Sequence, residues 1–268
     1  MPIRSQHLPM SFEAWDLLPY QPGWKYEYWD GCTHITPNHQ TAVTTAPVTP
    51  RPVNAPCALC HVLLEDEVPL LAVYLEAFAD NQAFCDYTQA KFLDAARRDL
   101  RESFTGHRAP LLAAARVAVA TEATGEQPVG AALLSRDQEY GPVLDLLFIR
   151  PQWQRRGLAT ALVASAMNAL HQAGEGTLTS CYQLANLASQ AWHRTFGFVE
   201  RPDLRYAQAY HRRAQQELSQ REKVEKLTAA ERAALHAEVQ YWHDQVEALE
   251  RLAQAQGYAA VNPRPLHW

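Results

Sequence analysis

Between Leu147 and Ala159 the chain reads Leu-Phe-Ile-Arg-Pro-Gln-Trp-Gln-Arg-Arg-Gly-Leu-Ala, and no other stretch restricts its fold as much. An apolar run of strand length, Val143 to Ile149, stops at Arg150-Pro151 and passes a glycine. It then gives way to Leu158, Leu162, Val163, Ala166, Met167 and Leu170, spaced as one face of a helix. A strand that feeds a helix through a glycine turn is a joint of an α/β chain. The helix opens with no acidic side chain in its first turn, so its outward N–H groups and aligned peptide dipoles suit a pyrophosphate. Gly157 lets backbone and phosphate approach closely, Arg155 and Arg156 add positive charge, and Ala159 keeps the next turn narrow.

The segments on either side extend this pattern. Ala58, Cys60, Val62 and Leu64 alternate as in a half-buried strand, and Val68 to Phe78 recurs at helical spacing. A second helix runs from about Tyr87 to Phe104 and ends at Gly106. Strands follow at Arg116 to Thr121, Val129 to Leu134 and Val143 to Ile149, the first two separated by the turn residues Ala123-Thr124-Gly125-Glu126-Gln127. After the glycine-turn helix, Thr177 to Gln183 reads as a strand, and Asn186 caps a helix from Leu187 to Phe196 that stops at Gly197. The order β α α β β β α β α predicts a mixed α/β (α+β) domain with a mixed sheet over residues 57–203.

Two extensions flank it. Residues 1–56 hold the aromatic run Trp24 to Trp29 followed by Asp30-Gly31, the positive-φ pair of a tight hairpin. Thr41 to Pro56, with Pro47, Pro50, Pro52 and Pro56, reads as an irregular linker. Beyond Asp203 the chain turns long, charged and helical. Thr228 and Glu231 stand at capping-box spacing, and Leu235, Val239, Trp242, Val246, Leu249 and Ala253 step by four and three as a coiled-coil seam. Together with the weaker stripe Leu204, Ala207, His211, Ala214 and Leu218, this predicts an antiparallel helical hairpin over residues 204–268. Such a hairpin is either a homodimerisation arm or a brace against its own domain.

Composition narrows the function classes. A net charge of −5 with 20% charged residues leaves no basic surplus for gripping nucleic acid. No stretch approaches the roughly 20 apolar residues of a membrane span, and Met-Pro-Ile-Arg-Ser-Gln has no apolar signal core behind it, so the expected location is the cytoplasm without a membrane partner. The cysteines Cys32, Cys57, Cys60, Cys85 and Cys181 are odd in number and irregular in spacing, which argues against a disulfide framework. Cys57-Ala58-Leu59-Cys60-His61 spells a haem-attachment pattern or half a zinc site. With no export signal and no second cysteine pair, a core strand with inward cysteines is the expected reading, and no metal is expected.

Gln154-Arg155-Arg156-Gly157-Leu158-Ala159 resembles the signature of the GCN5-related N-acetyltransferases: Gln or Arg, two residues, Gly, one residue, then Gly or Ala. In that family the signature follows the fourth strand, and a later helix carries Asn, a small residue and an aromatic before Gly-Phe. Asn186, Ser189, His193 and Gly197-Phe198 fall at those positions. The resemblance covers about residues 57 to 203. It implies that acetyl-CoA lies where strands four and five splay apart, as acyl donor to a small-molecule or peptide amine. The turn from Gln154 to Thr160 would hold the pyrophosphate, with Asn186 also on the cofactor side. Backbone of Leu147, Phe148 and Ile149 would pair with pantetheine as an added strand. Direct transfer needs an oxyanion donor, for which the Ile149 N–H is the candidate, a base for the amine proton and an acid for the thiolate.

The family's acid is often a tyrosine at the position held here by His193. His193 is thus either the acid or a helix residue packed beneath Phe198, with Tyr206 and Tyr210 as nearby substitutes. Asp145 on strand four is the candidate base, or else a solvated carboxylate. The departure at His193 motivates a rival reading, a non-catalytic acyl-CoA-binding or assembly module on the same fold. The resemblance also calls for a last strand where Leu204 onward looks helical, and the hairpin at residues 24 to 36 is the candidate to fill that place in the sheet.

Overall fold

The computed structural model describes residues 6–38, 40–106, 109–123, 125–224 and 227–257. Thr124 of the expected turn and residues 258–268 of the C-terminal extension lie outside them. The described chain divides into two compact units: Thr44–Cys181 with His193–Val199, and a second comprising the chain up to Val43, Tyr182–Trp192 and the chain from Glu200 onward.

The first unit is built on a mixed sheet. Its strands are β4 (Thr41–Pro47), β5 (Ala58–His61), β6 (Arg116–Glu122), β7 (Gly125–Asp137), β8 (Gly141–Ile149), β9 (Thr177–Gln183) and β10 (Val199–Arg201), in the spatial order β10-β4-β9-β8-β7-β6-β5. β5 to β8 pair antiparallel in sequence, whereas β8 and β9 run parallel because the helix between them returns the chain to the starting edge. Helices α2 (Glu67–Phe78) and α3 (Gln89–Thr105) cover one face, burying Leu70, Val73, Tyr74, Ala96 and Leu100 against Val117, Ala131, Leu133, Leu146 and Phe148. At about 25 cal/mol per Å2 of apolar surface, these side chains supply much of the drive that holds helix to sheet. The one hydroxyl among them is satisfied: Tyr74 donates to Asp99 Oδ2 at 2.9 Å. Helix α4 (Leu158–Gln172) buries Leu162, Val163, Ala166 and Met167 completely and packs on β6, β7 and β8.

The strand-and-helix order from Ala58 to Phe196 is the one expected. Thr41–Pro47, however, is strand β4 and not an irregular linker. Its Thr44 hydroxyl donates to Ser180 O at 3.1 Å, and Thr44 is fully buried. The prolines that follow are ordered by a different device. Arg51 N–H donates to Asn168 Oδ1 at 2.8 Å, Asn168 Nδ2 donates to Arg51 O at 2.9 Å, and the guanidinium donates to Phe196 O at 2.7 Å while lying over the Phe196 ring. β5 also departs from expectation. It is the sheet edge with Cys60 exposed and Cys57 half-buried, so its cysteines do not point into a core, and all five cysteines are free.

In the second unit, β1 (Gln6–Pro9), β2 (Trp24–Trp29) and β3 (Cys32–Pro37) form a separate three-stranded antiparallel sheet, beside which α1 spans Phe12–Asp16. Asp30 at φ 51° and Gly31 at φ 70° close the β2–β3 hairpin as their sequence demands. Because residues 24–36 lie in their own sheet, they do not fill the last-strand position. β10 and β4 occupy that side instead. Helices α6 (Leu204–Val224) and α7 (Ala229–Gln256) form the antiparallel hairpin, with Trp242 on Tyr206 and Tyr210, and Val246 and Leu249 around Leu204 and Ala253. The capping box closes as read: Glu231 N–H donates to Thr228 Oγ1 at 3.2 Å and Thr228 N–H to Glu231 Oε2 at 2.9 Å. Among the described residues no helix is long and apolar enough to cross a membrane.

Candidate functional site

The register between β8 and β9 is confined to Val143↔Thr179 and Leu144↔Ser180. Past that point, among the described residues, β8 runs on to Ile149 and β9 to Gln183 without further register between them. Two parallel strands that separate midway leave inward backbone groups of β8 without a ladder partner on that side, and such groups must find one elsewhere. A bulge marks the start of the separation. Leu133 pairs with Leu146 and Leu134 with Leu144, so Asp145 is the extra residue of β8. Asp145 is half-buried, as is Leu147, while Leu146 and Phe148 are buried on the α2–α3 face.

Beyond Ile149 the chain makes a short 3-10 turn, Pro151–Trp153, and reaches Gln154, whose side-chain amide donates back to Ile149 O at 3.0 Å. Arg155 adopts φ 58° and Gly157 φ 77°, both left-handed. A side chain at Gly157 would be strained by that φ, and the space where its Cβ would stand is open to 4 Å. Left-handed residues in such a turn make successive N–H groups converge, the geometry of an anion nest. The first helical bond of α4 is Ala161 N–H to Gly157 O at 2.9 Å, which leaves the N–H groups of Leu158 and Ala159 ahead of the helix's own ladder. Arg155 and Arg156 are exposed, Arg156 lying over the Trp153 ring, and no acidic residue stands in the first turn. The open space at Gly157, the converging N–H groups and the two arginines fit a pyrophosphate.

His193 is buried on α5 (Leu187–Phe196), with its ring edge-on to Phe198 at 5.1 Å. It does more than pack. His193 Nε2 is 3.0 Å from Ser180 Oγ, and Ser180 Oγ is 3.4 Å from Leu144 O, so the imidazole is tied to the last paired position before the strands part. Ser180 escaped the sequence reading. The adjacent hydroxyls of Thr179 and Ser180 between Leu178 and Cys181 were the available signal, since buried hydroxyls need partners.

Tyr206 has a different environment, in the second unit. Its hydroxyl donates to Glu200 Oε2 at 2.8 Å and its ring stacks on Tyr210 at 4.4 Å. Tyr182 donates to the same carboxylate, and Gln190 Nε2 donates to Tyr182 Oη at 3.0 Å and to Tyr210 Oη at 3.2 Å. Burial pushes the Tyr206 hydroxyl far above the usual phenol range, with Tyr210 and Glu200 adding to it, and Tyr182 is raised by burial and Glu200 in the same way. Asn186 caps α5, its Oδ1 accepting from Ser189 N–H at 3.0 Å. Among the described residues no group of three His, Cys, Asp or Glu side chains is placed to hold a metal ion.

Residues 73–198 match the model of the Acetyltransferase (GNAT) family. Among solved structures, the chain is similar to a GCN5-related N-acetyltransferase from Sphaerobacter thermophilus, at 18% identity over 60% of this chain and 48% of that one, with a TM-score of 0.41. This chain therefore spans about half the length of that protein. It is also similar to the aminoglycoside N-acetyltransferase AAC(6')-Iy in complex with CoA, at 18% identity over 57% of this chain and 92% of that one, with a TM-score of 0.39. A tandem GNAT protein from the clavulanic acid biosynthesis pathway matches at 12% identity over 60% of this chain and 50% of that one, again with a TM-score of 0.39. A search of curated proteins finds no match. The stretch that holds both the separating strands and the glycine turn is thus the matched one, and residues 73–198 are similar in sequence to the acetyltransferase (GNAT) family.

Proposed function

We propose that this chain is an acyl-CoA-dependent N-acyltransferase that moves an acetyl group from acetyl-CoA to a primary amine of a small molecule or peptide by direct transfer. One observation carries the reading: the opening between β8 and β9 ends at a left-handed glycine turn built to take a pyrophosphate. Gln154, Arg155, Arg156, Gly157, Leu158, Ala159 and Thr160 hold the phosphates, and the backbone of Leu147, Phe148 and Ile149 takes pantetheine as an added strand.

The thioester supplies an activated acyl carbon. The amine nitrogen bonds to that carbon as the carbon–sulfur bond breaks, the Ile149 N–H steadies the oxygen, and the amine proton passes to the Asp145 carboxylate. The departing thiolate takes its proton from the Ser180 hydroxyl, which recovers one from His193. The imidazole lies within hydrogen-bond reach of that hydroxyl, whereas the Tyr206 proton is committed to Glu200.

Calorimetric titration with acetyl-CoA tests the reading. Micromolar binding by the native chain, weakened at least about 100-fold in Gly157→Glu, is the expected result. Absence of binding by the native chain overturns it. Persistent binding with no amine-dependent release of CoA thiol would replace it with a non-catalytic acyl-CoA-binding module.

A further inference from the structure

Within the second unit, α1, the turn after it, β2 and α6 line an open pocket of about 400 Å3 that the acyl-transfer reading does not use. That volume lies within the roughly 300–1,000 Å3 of small-molecule sites. Its walls are aromatic: Trp15, Tyr20, Trp24 and Tyr26, with the Tyr20 and Tyr26 rings tilted against each other at 5.8 Å and Trp24 buried. The walls are also held in place. Gln216 and Gln220 on α6 donate to Leu18 O at 3.1 and 2.7 Å, fixing the turn after α1 to the helix behind it.

The charged side chains around the cavity are Asp16, Lys25 and Arg212. Asp16 is paired with Lys223 at 3.3 Å and Lys25 with Glu27 at 2.6 Å, so each is locally neutralised. Arg212, exposed on α6, has no ion-pair or hydrogen-bond partner among the described residues. A guanidinium with a free donor fork beside four aromatic faces selects a ligand that has both a flat ring and a negative charge.

We propose that this cavity binds a small planar organic anion, its aromatic ring taken among the indole and phenol walls and its carboxylate or phosphate ester held by Arg212. The proposal stands apart from the acyl-transfer reading and does not depend on it.

The test titrates the full chain with indole-3-acetate and with phenyl phosphate, followed by calorimetry and by the fluorescence of Trp15 and Trp24. At least one of the two should bind and perturb tryptophan emission, and its affinity should fall at least tenfold in Arg212→Gln. For the carboxylate, the neutral indole-3-acetamide should be as weak on the native chain as the acid is on the variant. Binding should persist in Gly157→Glu, which separates this cavity from the glycine turn. The stronger of the two anions identifies the acidic group preferred. Binding of neither anion, equal binding by the native chain and Arg212→Gln, or loss of binding in Gly157→Glu each overturns the proposal. Circular dichroism of Arg212→Gln confirms that the exposed substitution leaves α6 helical.

Discussion

The chain buries two hydroxyl clusters, and they differ in what stands at the centre. Around Ser180 the partners include a backbone carbonyl and an imidazole, Leu144 O and His193. Around Glu200 two phenols, Tyr182 and Tyr206, converge on a carboxylate, with Gln190 bridging to Tyr210. A central carboxylate raises the cost of ionising every phenol that touches it, so its protons are locked in place. A hydroxyl between a carbonyl and a histidine can give up a proton and regain one from the imidazole. The first arrangement suits turnover and the second suits cohesion, although sequence proximity to the Gly-Phe motif recommends residues of both.

The largest effect expected from this contrast is on rate. His193→Phe should lower kcat/KM for amine acetylation by about 100-fold, the usual scale of a lost proton donor. Ser180→Ala should follow it, whereas Tyr206→Phe should leave kcat/KM nearly unchanged. If Tyr206→Phe abolishes transfer while His193→Phe does not, the two clusters have exchanged roles.

Stability should respond in the opposite order. Tyr206→Phe removes one hydrogen bond to the half-buried Glu200 carboxylate, which costs about 1.5–3 kcal/mol. Thermal unfolding should register it as a lowered Tm, and a drop in Ser180→Ala as large as in Tyr206→Phe would erase the distinction.

A smaller effect, confined to the second unit, concerns His211 and His243, whose rings face each other at 5.5 Å across the helical hairpin. Burial, with His243 adding to it, depresses the His211 pKa below the usual histidine value. Protonation therefore favours the unfolded chain. The contribution of His211 is present above the ordinary histidine pKa of about 6.5 and is lost as pH falls through its folded value. His211→Gln should flatten the fall in Tm on acidification from neutral pH, and an unchanged slope would show that the pair is not coupled to folding.

How much of this could be read from residues alone varied with how local the cause was. The strands from Arg116 to Ile149, the glycine turn and α4 follow from periodicity and from a single glycine, because each is dictated by neighbours in sequence. The Asp30-Gly31 turn was legible for the same reason, but the sheet to which its strands belong was not. β4 was missed although Thr41-Ala42-Val43-Thr44-Thr45 is rich in β-branched residues, since the prolines from Pro47 onward dominated the local pattern. Its true partner is Ser180, far along the chain. The site divides similarly. Spacing put His193 at the family position, but its bond to Ser180 and the commitment of Tyr206 to Glu200 depend on side chains brought together by the fold. Arg212 beside the aromatic cavity is likewise a product of α6 packing on an element from the opposite end of the sequence.

The position of β4 sets an order of events for the growing chain. Thr44 and Ser180 are 136 residues apart, so an early-synthesised strand must wait for a late one before it can enter the sheet. Closing so long a loop adds entropy cost only slowly with length, yet it delays the contact relative to hairpins such as β6–β7–β8. Until β4 inserts, β9 has an open backbone edge, and an open edge invites other strands. A chain lacking its first 47 residues should accordingly collapse around α2, α3 and β5–β8 and then self-associate through β9. By this reasoning the N-terminal segment shields the strand that borders the opening beside β8.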